Sequence, residues 1–201
     1  MSYYSREELR LLGLAQVGQH VQISKKASIY NPSRITIGSH VRIDDYCVLS
    51  AGEGGIAIGD YVHVAVFCSL IGGGRIVLED FAGLSGRVSI YSSNEDYSGA
   101  FLTNPTVPRQ FTHVTQEGVI VGRHCIIGAG AVVLPGVVLE EGVAIGALSL
   151  VNRSCSAFGI YAGVPARFVR NRSRKLRELG EQLQRETRPP DAQISEQDVP
   201  T

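Results

Sequence analysis

A parallel β-helix is the fold this sequence predicts, and three observations carry that expectation. Val121, Ile127, Val133, Leu139, Ile145 and Val151 stand six residues apart, and the same phase recurs at Val17 and Ile23, Ile37, Ile43 and Leu49, Ile58, Val64 and Leu70, and Leu78, Leu84 and Ile90. The residue four places after each of the first five anchors is small or slim: Cys125, Ala131, Val137, Val143 and Ser149. Neither an α-helix nor an alternating strand has a period of six, whereas a solenoid of short flat faces that turns a corner every six residues buries one branched side chain per corner. The register slips at residues 53–55 and 72–74, both glycine-containing, and glycine suits a slip because it tolerates positive φ.

The elements follow in order. Residues 1–16 form an N-terminal helical cap: Ser5 and Glu8 have capping-box spacing, Leu11 and Leu12 supply an apolar face, and Gly13 ends the helix. A cap is needed because an open solenoid end exposes its core and an unpaired strand row. Residues 17–170 are the β-helix, interrupted by a long loop at 91–118 that has no period of six. Residues 170–188 are rich in helix formers, with Leu176, Leu179 and Leu183 at helical spacing, and form a C-terminal amphipathic helix. Beyond Pro189 and Pro190 the segment DAQISEQDVPT has little to bury and is expected to be disordered.

The repeat spans most of the 201 residues and leaves no room for a second core, so one domain is expected. Nineteen basic residues balance nineteen acidic ones, which gives no field to attract nucleic acid or anionic lipid. The charged start MSYYSREELR and the lack of any stretch of ~20 apolar residues argue against a leader and a membrane span, so the protein is expected in the cytoplasm. Cys47, Cys68, Cys125 and Cys155 each fall four residues after an anchor and lack CxxC spacing; they read as small buried hydrophobes in a reduced compartment, with no metal.

Candidate chemistry concentrates in the long loop, which holds Asn94, Glu95, Asp96, Tyr97 and His113. Its apolar residues Phe101, Leu102 and Phe111 could instead cover a neighbouring subunit. His20, His40 and His124 fall at outward corners and read as solvated. His63, taken to lie near the slip at 72–74, could face a cleft, and His113 is free to reach a substrate and accept a proton near pH 7.

The run IGAGAVVLPGVVLEEGVAIGALSLV followed by YAGVPARFVR resembles the hexapeptide-repeat acyltransferases, in particular the galactoside, maltose and xenobiotic O-acetyltransferase branch, over roughly residues 35–170. The resemblance implies a left-handed parallel β-helix, a homotrimer with active sites between subunits, and acetyl-coenzyme A as donor, with no metal. It puts pantetheine contacts at Ala129 and Ala147, and places Asn152 and Arg153 at the family's Thr-Lys pair, with Arg167 and Arg170 adding charge for the nucleotide phosphates. The family's catalytic histidine falls on Glu95, with Asp96 beside it, and its sugar-contacting asparagine falls on Ala65, close to His63. The base is therefore a loop carboxylate or His113, unless an amine acceptor needs little help.

The function expected is acetyl transfer to a hydroxyl, or less favoured to an amine, of a sugar or nucleotide-sugar for surface polysaccharide, with backbone N–H groups holding the oxyanion. Asn94, Tyr97 and His63 would contact the acceptor. The competing class is a non-catalytic or carbonic-anhydrase-like trimeric β-helix, against which the absence of HxxxxH spacing counts.

Overall fold

The computed structural model describes residues 2–187 and is a parallel β-helix of three faces. The first face stacks Gln16–Val17, Ile35–Ile37, Ile56–Ile58, Ile76–Leu78, Val119–Val121 and Val138–Leu139 in that order. The second stacks Gln22–Ile23, Arg42–Ile43, His63–Val64, Gly83–Leu84, Ile126–Ile127 and Ala144–Ile145, then Gly159–Gly163 and Ala166–Asn171. Ser28–Tyr30, Val48–Ala51, Ser69–Gly72, Ser89–Tyr91, Val132–Val133 and Leu150–Val151 form the third. Parallel pairing puts anchor on anchor, as in Ile37↔Ile58, Ile58↔Leu78 and Leu78↔Val121.

Every anchor except half-buried Val17 is buried, and the interior between the faces is one continuous apolar core. The four cysteines are free and buried in the slim slots, and burial pushes the thiols of Cys125 and Cys155 up to about 12 and about 11.

Two corners are left-handed at most coils. His20, His40, Tyr61, Phe81 and His124 have φ between 54° and 61° and stack ring on ring along one corner at centroid distances of 4.6 to 5.1 Å. A non-glycine residue there costs about 1 kcal/mol, and ring stacking offsets that cost. His20 and His40 are exposed, as expected, and are also rungs of this ladder, whereas His124 is half-buried.

The N-terminal helix α1 (Arg6–Leu11) has the expected capping box, with Ser5 and Glu8 bonded reciprocally. Its buried residue is Leu9, not Leu11, which is 82% exposed: Leu9 and Leu12 lie three apart and share the inward face. At the other end the expected helix begins later. The chain turns at Gly163 and returns as Ala166–Asn171, antiparallel to Gly159–Gly163, so Arg167 and Arg170 lie on a strand. The final sheet edge is open to pairing, and that pairing outcompetes local helix propensity. Helix α2 (Lys175–Thr187) follows. It rests on the ring ladder through buried Gly180, where a Cβ would meet His124 Cε1 at 2.5 Å, while Leu179 and Leu183 face outward. Residue 188 and the expected disordered tail lie outside the described residues.

Candidate active site

The loop leaves the third face after Tyr91 and re-enters the first at Val119. Ser93–Asn94 and Thr115–Gln116 pair as a short antiparallel ribbon that closes its root. Glycines 72–74 make room for it. A Cβ at Gly72 would lie 2.4 Å from Ser92 Oγ, one at Gly73 2.4 Å from the Gln116 side chain, and one at Gly74 2.8 Å from the Glu117 backbone. The slip read from the sequence is thus the seat of the loop. Buried Ser92 ties the two together by donating to the Gly74 carbonyl at 2.7 Å.

Beyond the ribbon, Glu95, Asp96, Tyr97, Phe101 and Leu102 line a hollow of about 740 Å³. Asp96 is fixed by its own turn: Ser98 Oγ donates to the carboxylate at 2.8 Å, and the Gly99 N–H donates at 3.0 Å. The Ser98 bond is the main reason its carboxyl is held below the usual range, so Asp96 is an anion at neutral pH. Glu95 Oε2 is buried with no hydrogen-bond partner among the described residues. A buried oxygen in that state has strong demand for a donor, such as an ammonium or hydroxyl of a ligand. Tyr97 is 86% exposed. Asn94 is engaged through its backbone in the ribbon, and its carbonyl accepts from Thr115 Oγ1 at 3.3 Å.

His113 does not line the hollow. It is exposed and stacks on Phe101, which does, at 5.1 Å between centroids. His63 stands apart from the loop on the second face, not by the 72–74 slip, and its Nε2 lies 2.9 Å from Asp44 Oδ2. Ala65, two residues on, is half-buried near the corner.

Of the residues that the resemblance assigns to the donor, Ala129 and Ala147 occupy successive turns of one corner. Ala129 and Ala147 are exposed and stacked, with the Leu148 N–H donating to the Ala129 carbonyl at 2.9 Å. The corner has no spare space: a Cβ at Gly128 would lie 2.5 Å from the Ala147 nitrogen, and one at Gly146 2.9 Å from Ala162 Cβ. Small residues keep this edge thin, which fits an extended pantetheine arm lying against the backbone. Asn152 and Arg153 follow, exposed, and Arg167 and Arg170 are exposed on the terminal strand. Among the described residues no three His, Cys, Asp or Glu side chains converge to hold a metal ion, and no helix is long and apolar enough to cross a membrane.

Residues 117–153 match the bacterial transferase hexapeptide, six repeats. An Escherichia coli protein, dTDP-4-amino-4,6-dideoxy-D-glucose acyltransferase, is 52% identical over 179 residues, 89% of this chain and 93% of its own length. The chain belongs to the hexapeptide-repeat acyltransferase family. AntD, an N-acyltransferase from Bacillus cereus in complex with dTDP and 3-hydroxybutyryl-CoA, is 46% identical with a TM-score of 0.88, covering 92% of this chain and 97% of that one. A variant of AntD in complex with dTDP-4-amino-4,6-dideoxyglucose and coenzyme A gives 45% identity and the same TM-score, covering 92% and 98%. The fold of this acyltransferase is therefore the left-handed parallel β-helix that the resemblance implied. AntD is an N-acyltransferase and the Escherichia coli relative is named for an amino sugar, whereas the resemblance favoured the O-acetyl branch.

Sequence reasoning missed Arg42 and Asp44, the partners of His63. A signal was available: Arg42 precedes His63 by one coil length, so the two are register partners.

Proposed function

We propose that this acyltransferase transfers an acetyl group from acetyl-coenzyme A to the amino group of a dTDP-linked 4-amino-4,6-dideoxy sugar. The observation that carries this reading is the loop: carboxylates stand where the O-acetyl branch has its histidine, and one of them presents a buried oxygen that finds no donor among the described residues. An anionic pocket suits an acceptor that arrives as an ammonium. An amine of this kind loses its proton near pH 8, whereas a hydroxyl holds its proton far above neutrality, so N-transfer asks less of a base. The 52% identical relative and AntD support the same acceptor class.

In this reading Glu95 and Asp96 receive the ammonium, Asn94 and Tyr97 contact the sugar, and His113 braces Phe101 at the wall of the hollow. The pantetheine lies along Ala129 and Ala147, and Asn152, Arg153, Arg167 and Arg170 meet the donor's nucleotide and phosphates. A backbone N–H of the corner stabilises the oxyanion of the tetrahedral intermediate. The assembly is a cytoplasmic homotrimer with each site in a cleft between subunits.

The test is acceptor competition. Release of coenzyme A thiol is followed with dTDP-4-amino-4,6-dideoxyglucose and with its 4-hydroxy counterpart, each with acetyl- and 3-hydroxybutyryl-coenzyme A. Turnover of the amine at least a hundredfold faster than the alcohol is expected, with the product an amide. Preference for the alcohol would restore the O-acetyl reading.

A further inference from the structure

The most developed polar cluster outside the loop lies on the second face. Asp44 is 4% exposed and both its oxygens are engaged. Oδ2 lies 2.9 Å from His63 Nε2, and Oδ1 accepts from Arg42 Nε at 2.7 Å and from the Tyr3 hydroxyl at 3.5 Å. Burial pushes this carboxyl up, but the bonds from His63 and Arg42 outweigh it and hold Asp44 below the usual range. An ionised carboxylate only accepts, so His63 Nε2 carries the hydrogen, and in the neutral ring the lone pair is therefore on Nδ1. The imidazole is 50% exposed while its partner is not. A buried carboxylate that orients an exposed imidazole is the arrangement of a base with its orienting group.

Its position along the β-helix suits that role. His63 pairs in register with Gly83 on the next coil, where the missing side chain gives its place to Ile126, whose Cδ1 would lie 3.1 Å from a Cβ there, so an apolar floor adjoins the ring. Coils repeat about every 4.8 Å, so Ala129, two coils on, lies about 10 Å along the axis. That span fits an acceptor amine and a thioester carbonyl between the imidazole and the donor track.

We infer that His63 takes the proton from the acceptor amine, with Asp44 as its positioning residue. The inference rests on the N-acyl reading above and on its cleft between subunits, in which the loop that receives the ammonium comes from the neighbouring copy and meets this face. The bound ammonium first gives one proton to water, and the free amine nitrogen then attacks the thioester carbonyl carbon, forming the C–N bond. The proton on that nitrogen passes to His63 Nδ1, the C–S bond breaks, and the sulfur leaves as thiolate. Asp44 stabilises the resulting imidazolium, which returns its proton to the thiolate or to water.

The experiment uses the full chain with dTDP-4-amino-4,6-dideoxyglucose and acetyl-coenzyme A. His63→Gln should lower kcat by roughly 10²- to 10³-fold near pH 7 while the acceptor KM changes less than about threefold. Its rate should keep rising with pH where the unaltered enzyme levels off. The ring is tied to Asp44, and Asp44 in turn to Arg42 from the same coil and Tyr3 from the N-terminal segment, so the same profile is measured for Asp44→Asn and Asp44→Glu. Asp44→Asn should shift the profile and Asp44→Glu should recover part of the rate. An unchanged kcat with a raised KM in His63→Gln overturns the inference and makes His63 a binding contact. No turnover of the amino sugar by the unaltered enzyme, alongside turnover of the alcohol, overturns the acceptor reading and this step with it, so the two failures are distinguishable.

Discussion

Asp96 and Asp44 are both held as anions, but by different means. Asp96 is held within its own turn by Ser98 and Gly99, so its charge is placed without the rest of the fold. Removing that charge should act on the acceptor: Asp96→Asn is expected to lower kcat/KM for the amino sugar at least tenfold, through the ammonium, with the melting temperature nearly unchanged. Unchanged kcat/KM would remove Asp96 from the site. Asp44 is placed by tertiary contacts, and its folded pKa lies below the unfolded value of about 3.9. Its stabilisation is therefore fully present above the unfolded pKa and is lost as pH falls through the lower folded value. Asp44→Asn should melt several degrees below the unaltered protein at pH 7, with the gap closing below about pH 4. A gap independent of pH would mean that shape, not charge, is what Asp44 supplies.

At the scale of elements, two glycine sites show how close packing sets both termini of the functional region. Gly180 lets α2 approach the ladder, and the same face is held by Arg177 to Glu141 and by Arg123 to Gln184 at 3.1 Å. Gly180→Ala should raise intrinsic helicity by about 1 kcal/mol, yet its Cβ meets the His124 ring at 2.5 Å, so the helix must lift. The net change expected is a loss of about 2 to 4 °C in Tm; a rise would show that the contact relaxes without cost. Gly72 has φ of 146° and no space for a Cβ, so Gly72→Ala should unseat the loop root and lower kcat/KM more than it lowers Tm. Equal losses in both would mean that the loop and the coil unfold together.

For the whole molecule, the loop and α2 present apolar side chains that the chain's own core does not take up. Phe101, Leu102 and Phe111 are 45%, 58% and 51% exposed, and Leu179 is 54% exposed. Surface of this kind points to burial between copies. Light scattering at micromolar concentration should give about 65 kDa, three times the 21.6 kDa chain. Phe101→Asp with Phe111→Asp should shift the mass toward the monomer and abolish turnover while leaving the far-ultraviolet spectrum intact. A monomer in the unaltered protein would place the whole site within one chain.

The period of six determined the solenoid, its register and its buried residues from the sequence alone, because each branched anchor repeats a local choice of inward or outward that the parallel pairing then copies from coil to coil. The capping box of α1 was legible for the same reason: its partners lie three residues apart. The loop was legible as an interruption, and Glu95, Asp96 and Tyr97 are neighbours in sequence as they are around the hollow. What the sequence did not determine involves partners about one coil or more apart. The His63–Asp44 pair, the ladder of His20, His40, Tyr61, Phe81 and His124, and the seat that glycines 72–74 make for the loop exist only once coils of 18 to 21 residues stack in register. The late start of α2 belongs with them, since an open sheet edge captured Ala166–Asn171 against its local preference. Local patterns carry the repeat; side chains brought together by winding carry the chemistry.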